Sequence, residues 1–280
     1  MVKPHAIVVD SQDRILVAGD EVVHVFSSDG EKRVDFSVGG SPTAIAVAPQ
    51  GAKTPGRILV ATGDVIRWFD ATGKPEGTWQ LSGEKPVRIT SIAADVTDVF
   101  VADFGNRVVH RLDAEGNTVQ FIQHRSTKGE QAEFNIPSAF FDVAIADDEV
   151  LRVAHTGVNQ IESYTYDGDP LGSWGVASAR PNGFFGCCNP AHFALLPDGR
   201  YVTAEKGIAR VKVHGADGKF VCLVADPKTL ARPVASSEVS EIRLTTKWID
   251  VAADSQGRVL VLDPIAKHVW IYEPRPEETE

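Results

Sequence analysis

Long apolar runs are missing from this 280-residue chain; none approaches the roughly 18 residues that a membrane-spanning helix needs. Basic charge is also short. Lys and Arg number 28 against 38 Asp and Glu, for a formal net charge of −10. Binding phosphate backbones needs a basic face, so nucleic acid is not an expected partner, and neither is an anionic membrane surface. Cysteine is scarce, at three residues, too few for a disulfide framework. The N-terminus MVKPHAIVVD has no apolar signal-peptide core. The chain is therefore expected to be cytoplasmic, or periplasmic or secreted if a leader has been removed. No HExxH, GxSxG, phosphate-loop or dinucleotide-binding glycine motif stands in a usable context. What the chain does have is 43% hydrophobic residues, enough for a substantial core.

Those residues recur in six units. They are HAIVVDSQDRILVAGDEVVHVFSSDG, TAIAVAPQGAKTPGRILVATGDVIRWFDATG, TSIAADVTDVFVADFGNRVVHRLDAEG, FDVAIADDEVLRVAHTGVNQIESYTYDG, HFALLPDGRYVTAEKGIARVKVHGADG and IDVAADSQGRVLVLDPIAKHVWIYEP. Five end in a tight-turn pair: Asp29-Gly30, Thr72-Gly73, Glu115-Gly116, Asp167-Gly168 and Asp217-Gly218. A further apolar run follows, such as RVDFSV, GTWQL, TVQFIQH or FVCLVAD. Four short strands per unit at a spacing of roughly 40–50 residues predict a β-propeller. Helical i, i+3, i+4 periodicity is absent. The first run of each unit (AIVV, AIAV, SIAA, DVAIA, FALL, DVAA) is small and apolar, as crowding around a central channel requires.

The stretch VADFGNRVVHRLDAEG, Val101 to Gly116, resembles the NHL repeat, with its V-A-D-x-G-N-x-R-V run followed by D-x-x-G. The likeness is looser in the other units but covers nearly the whole chain. It implies an all-β fold, a six-bladed NHL-type propeller, and a family whose members often serve as recognition platforms. GCCNPAHFALLPDGRYVTAEKGIARVKV and RVLVLD are similar, more narrowly, to uncharacterised bacterial NHL proteins with a GCCNP motif. The expected organisation is one propeller domain over residues 1–273 and an acidic, proline-bearing, flexible tail over 274–280. The sixth unit lacks a fourth strand, and Met1 to Lys3 is too short to supply one. Blade six should be three-stranded, or an N-terminal segment is missing.

Candidate site residues follow from the repeat. Call the top face the one carrying the loops that enter each innermost strand. Three long connections, Gln123–Ala139, Gly172–Ala191 and Asp226–Trp248, lie there, and long structureless loops tend to be functional. Aligning the innermost strands puts Asp142, His192 and Asp250 at one position, where blades one to three have Ala6, Ala44 and Ser91. A charge facing a narrow channel must be paired, hydrated or ligated. Asp142, His192 and Asp250 fit a divalent metal site, an acid/base set, or a hydrated polar collar. Loops between second and third strands add Asp103 and Asn106, His155 and Asn159, Glu205, Lys206 and Arg210, and Asp263. Asp103 and Asn106 read as turn-holding residues. Glu205 and Lys206 equally suit a solvated surface pair of little energetic value.

Cys187 and Cys188 precede His192, with three residues between Cys188 and His192, in GFFGCCNPAH. Adjacent cysteines do not share one ion without strain, so this is not CxxC zinc spacing. Three readings remain open: small thiols shaping a turn, a vicinal disulfide in an oxidising compartment, or a redox or soft-metal site in which a thiolate acts with His192. Cys222, in FVCLVAD, is expected on the outer strand of blade five as a packed apolar residue between blades. His24, His110, His214 and His268 fall mid-blade on third strands and read as structural.

The expected function is binding of a small ligand or a protein partner on the top face over blades four to six. Candidate contacts are Asp142, His192, Asp250, His155, Glu205, Lys206, Cys187 and Cys188. The alternatives are a metal-dependent propeller enzyme of lyase or lactonase type, though without the three-histidine pattern of such enzymes, and a thiol site at the cysteine pair.

Overall fold

A computed structural model describes residues 3–126, 129–231 and 249–274. It shows six small antiparallel sheets set around a central channel as a six-bladed β-propeller. The first holds β1 (Pro4–Val9), β2 (Ile15–Gly19), β3 (Val22–Phe26) and β4 (Lys32–Ser37). The second holds β5 (Ala44–Val47), β6 (Ile58–Thr62), β7 (Val65–Phe69) and β8 (Pro75–Gln80). The third holds β9 (Ile89–Ala94), β10 (Val99–Asp103), β11 (Val108–Leu112) and β12 (Thr118–Ile122). A two-stranded ribbon follows, β13 (His124–Arg125) with β14 (Gln131–Ala132). The fourth sheet holds β15 (Val143–Ile145), β16 (Leu151–His155), β17 (Gln160–Tyr164) and β18 (Pro170–Trp174). The fifth holds β19 (His192–Leu195), β20 (Tyr201–Glu205), β21 (Arg210–His214) and β22 (Phe220–Ala225). Among the described residues the sixth has three strands, β23 (Asp250–Ala253), β24 (Val259–Asp263) and β25 (His268–Tyr272). The only α-helix among the described residues is α1 (Pro227–Ala231). Of the proposed tail, residues 275–280 lie outside the described residues, as do residues 232–248 of the third long connection.

Burial falls from the second strand outward, which explains the sequence pattern. Second strands such as ILVAG, VFVAD and YVTAE are buried along their whole length, because a neighbouring blade covers each face. They therefore read as continuous apolar runs, not as alternation. Outer strands such as KRVDFS are mostly exposed. Cys222 follows that gradient: on β22 it is exposed. The expectation of a packed interblade residue is corrected, because a fourth strand has no blade surface wide enough to cover both its faces.

The turn glycines do more than reverse the chain. Gly73, Gly116 and Gly218 all have φ between +78° and +89°, where glycine is favoured. A Cβ on each would meet an aromatic ring on the outer strand of the preceding blade: Phe36 at 2.4 Å, Trp79 at 2.2 Å and Trp174 at 2.5 Å. Each aromatic lies over the next blade's turn and closes the seam. Gly30, with φ +87°, meets nothing within 4 Å. The blade before it in the ring is the sixth, whose fourth strand is absent among the described residues.

The ring closes where β1 packs beside β23. Asp13 accepts hydrogen bonds from the Ser255 N–H at 2.9 Å and hydroxyl at 2.6 Å, and Arg258 donates to the Ser28 carbonyl at 3.0 Å. Ile7, Ile15, Val17, Ala252, Leu260 and Leu262 form the apolar core of that seam.

Two of the long connections carry structure of their own. The first contains the β13–β14 ribbon, and the third opens with α1. The second is irregular, with one bridge from Ala177 to Phe184.

Candidate functional site

The strand register brings the aligned positions together. Ala6 pairs with Ala18, Ala44 with Ala61, Ser91 with Ala102, His192 with Ala204 and Asp250 with Leu262. The Asp142 carbonyl accepts the Ala154 N–H. All six stand at one level of the ring, opposite a small or apolar residue of the second strand.

Three of the polar members link one blade to the next. Ser91 Oγ lies 3.3 Å from the Val143 nitrogen. Asp142 accepts the Phe193 N–H at 2.8 Å and the Val143 N–H at 3.0 Å. Asp250 accepts the Ile7 N–H at 2.9 Å and the Val251 N–H at 2.8 Å. The carboxylates are thus partly a structural collar. His192 lies between them, its Nδ1 3.7 Å from Asp142 and 3.5 Å from Asp250. Burial is the largest single influence on the imidazole and pulls its pKa down, but the negative charges of Asp250 and Asp142 outweigh it. The result is about 9, so the ring is cationic at neutral pH. Asp250 is raised to about 6, by burial first, with the Asp142 charge adding to the rise and the His192 charge opposing it.

His192 joins two cavities. Below it runs the channel, about 270 Å³, lined by the innermost strands of all six blades. Above it opens a cup of about 310 Å³ on the top face, lined by residues including His5, Thr43, Arg88, Thr90, Phe140 and His192. Phe140 meets the imidazole edge-to-face at 5.8 Å, and the Lys206 ammonium lies over the Phe140 ring at 4.7 Å. Cationic and apolar groups therefore share one small concavity in an acidic protein. His5 and Arg88 were not singled out in the sequence. They stand at entries to innermost strands, and only the assembled ring brings them to the cup.

The cysteine loop lies beside this cup. Cys187 is exposed and Cys188 is buried; both are thiols, with sulfurs 3.4 Å apart. Burial pushes the Cys188 thiol up. Hydrogen bonds from Ser138 and Cys187 and the nearby Lys206 charge outweigh it, leaving the pKa below the ordinary thiol value. Lys206 in turn reaches Ser138 Oγ at 3.4 Å.

The remaining candidates hold this loop. Glu205 is fully buried and accepts the Phe185 N–H at 2.8 Å. It pairs with Arg210 and, at 3.4 Å, with Lys212; the solvated-pair alternative is corrected. The buried Lys212 ammonium donates to the Gly183 carbonyl at 2.7 Å, and burial lowers its pKa to about 8. Asn159 donates to the Gly186 carbonyl at 2.8 Å and the Asn189 carbonyl at 3.1 Å. The Asn189 side chain donates to the carbonyls of Phe185 and Lys206 and accepts the Lys206 N–H at 2.8 Å. Asp103 holds its own turn, accepting from Arg88, Gly105 and Asn106, as read from sequence.

His155 lies apart from the channel, against the ribbon. Its Nδ1 is 2.9 Å from Glu162, which also meets His124 at 3.1 Å and the Tyr164 hydroxyl at 2.5 Å. His124, His155 and Glu162 are, among the described residues, the one set of three such ligands within 4.8 Å of one another. Yet the Asn135 N–H donates to His155 Nε2 at 2.8 Å. That bond makes Nε2 the acceptor, so Nδ1 carries the proton and donates to Glu162. Binding an ion through Nδ1 would forfeit that arrangement. The cluster is better suited to latching the ribbon onto blade four than to holding metal. Asp142, His192 and Asp250 do not meet the same 4.8 Å spacing.

No family model matches the chain, and no curated protein matches it. Solved structures do. A protein of unknown function from Bacteroides thetaiotaomicron is 16% identical with a TM-score of 0.65, over 95% of this chain and 68% of that one. A streptogramin B lyase is 11% identical with a TM-score of 0.58, over 99% and 84%. Virginiamycin B lyase from Staphylococcus aureus is 11% identical with a TM-score of 0.55, over 99% and 86%. At such identities the likeness is one of fold: the chain is similar to propeller-type proteins.

Proposed function

We propose that this NHL-type propeller binds a small molecule in the top-face cup, with His192 as the charged hydrogen-bond donor. One observation carries the reading. The His192 imidazole is held at Nδ1 by two buried carboxylates, while Nε2 has no hydrogen-bond partner among the described residues and the ring borders the cup. A cation fixed in place beside Phe140 and near Arg88 suits a ligand with an anionic or carbonyl oxygen on a compact apolar body. The cup's size, at the lower end for ligand sites, fits such a molecule.

A second reading rests on the same residue. A protonated imidazole backed by carboxylates is a general acid, and the similar folds include two lyases. A histidine-to-alanine form of virginiamycin B lyase is described as catalytically inactive, so a histidine matters to that protein. For this chain, lyase chemistry would need His192 to reach a leaving oxygen in the cup. The wide spacing of the trio favours a proton over a metal ion between its members.

Calorimetry with a panel of small aromatic and aliphatic carboxylates and lactones tests the proposal. Binding is expected at pH 7, and it should weaken about tenfold or more at pH 10 and in His192→Gln. Binders that ignore both changes, or no binder at all, defeat it. Turnover of a bound lactone, lost in His192→Gln, would select the lyase reading. Stoichiometric divalent metal in the purified protein, lost in the same variant, would replace the proton with an ion.

A further inference from the structure

The geometry points to Cys187 and Cys188 as a chelating dithiol site for a pyramidal, thiophilic trivalent centre, such as an arsenic(III) or antimony(III) species. The site is independent of the ligand-cup reading. Its two sulfurs lie 3.4 Å apart on one side of the loop, one exposed and one buried.

That separation discriminates among occupants. A disulfide needs sulfurs about 2.05 Å apart and Cα atoms usually more than about 4.4 Å apart, whereas neighbouring Cα atoms across a trans peptide are about 3.8 Å apart. Closing the pair on itself is therefore strained. Inserting one atom enlarges the ring and relieves that demand. With bonds to sulfur of about 2.3 Å, as in zinc thiolates, sulfurs at this spacing subtend about 95° at the bridging atom. A tetrahedral ion would want about 3.8 Å between sulfurs, and a linear one about 4.6 Å. The near-right angle matches a trivalent centre with a stereochemically active lone pair. The expectation that adjacent thiols cannot share one centre without strain holds for tetrahedral zinc and lapses for this geometry.

The surroundings favour capture. Lys206, which reaches Ser138 Oγ at 3.4 Å, places its positive charge near the Cys188 thiol and favours its thiolate, the nucleophilic form. The exposed Cys187 gives the approach. The loop is held by Asn159, Asn189, Glu205 and Lys212, so both sulfurs are positioned before the ligand arrives. The chemistry balances without a redox partner. A species R–As(OH)2 exchanges two As–O bonds for two As–S bonds. Each thiol proton leaves with a hydroxide as water, and arsenic stays trivalent.

Phenylarsine oxide is the probe, which loses one water on forming the same dithiolate. Cys222 is exposed, so Cys222→Ser is the background. Intact-mass spectrometry is read on that variant and on its Cys187→Ser and Cys188→Ser derivatives, each checked for native circular dichroism. The background should bind one arsenic and retain it against about a hundredfold more 2-mercaptoethanol than either derivative, because the second As–S bond forms intramolecularly. It should release it to 2,3-dimercaptopropanol. Equal monothiol sensitivity in the background and the derivatives, no adduct, or a purified protein already closed to a Cys187–Cys188 disulfide would overturn the proposal. If Cys188→Ser does not fold, the Cys187→Ser comparison alone decides.

Discussion

His192 is cationic at neutral pH because two carboxylates hold it so, and that charge has a measurable consequence. Its folded pKa, about 9, lies above the ordinary 6.5. The folded state therefore binds the proton more tightly than the unfolded chain. Its contribution to stability is complete below about pH 6.5 and is lost as pH rises through 9, worth on the order of 3 kcal/mol. Asp250 runs the same way at lower pH. Its folded pKa of about 6 lies above 3.8, so its contribution is complete below about pH 4 and gone above 6. Replacing His192 by Asn leaves two carboxylates facing each other across the collar. Urea unfolding should show the variant less stable by about 3 kcal/mol at pH 7, and the deficit should shrink to under about 1 kcal/mol by pH 10, where the wild-type ring is also neutral. A deficit that stays flat with pH would mean that the ring carries no charge. Register alone was enough to place Asp142, His192 and Asp250 together from the sequence, since their position repeats. Glu205 and Lys206 are different. A buried ion pair and a solvated one look identical in sequence, and only the packing of Arg210, Lys212 and Phe185 around Glu205 separates them.

At the scale of strands and loops, the x-Gly turns were legible as reversals but not as seam fillers. The aromatic that covers each glycine sits on another blade, and no local pattern announces it. Gly30 and Gly116 share a φ of +87°, so alanine at either pays the same backbone cost of about 1 kcal/mol. Gly116→Ala must also displace Trp79, 2.2 Å from the new Cβ, while Gly30→Ala meets open space. Thermal unfolding should therefore place Gly116→Ala below Gly30→Ala by about 2 kcal/mol; equal losses would show that Trp79 swings aside freely. The β13–β14 ribbon and α1 were invisible for another reason. Two-residue strands and a single helical turn are too short to express a period. The cysteine loop makes the same point through Asn189. Removing its side chain in Asn189→Ala strands the Lys206 N–H and two carbonyls. Amide exchange across residues 183–189 should quicken at least tenfold, about 1.4 kcal/mol of lost protection, with the inner strands unchanged. Uniform quickening would make the loop part of the global unfolding unit.

For the whole molecule, the question is where a closed ring opens first. Each blade buries its second strand against both neighbours, so the six sheets share one continuous stack, and the six-fold recurrence made that architecture readable from sequence. The seams are not equal. Those leading into blades two, three and five are closed by Phe36, Trp79 and Trp174 over the following turn. The seam from blade six to blade one has no such ring among the described residues. It rests on Asp250 to Ile7, Asp13 to Ser255, Arg258 to Ser28 and a six-residue apolar core. Two of those polar links involve exposed or half-buried groups and are worth about 1 kcal/mol each. Among the described residues no outer-strand aromatic covers the turn at this seam, unlike the seams into blades two, three and five, and on that difference we expect it to open first. Native-state hydrogen exchange should then show β1, β23 and β24 exchanging through a sub-global opening, below the free energy at which β6, β10 and β20 exchange. Asp13→Ala should lower the first group's protection by about 1 kcal/mol and leave the second unchanged. If all six inner strands lose protection together, the ring opens only as one unit and the first–last seam is no weaker than the others.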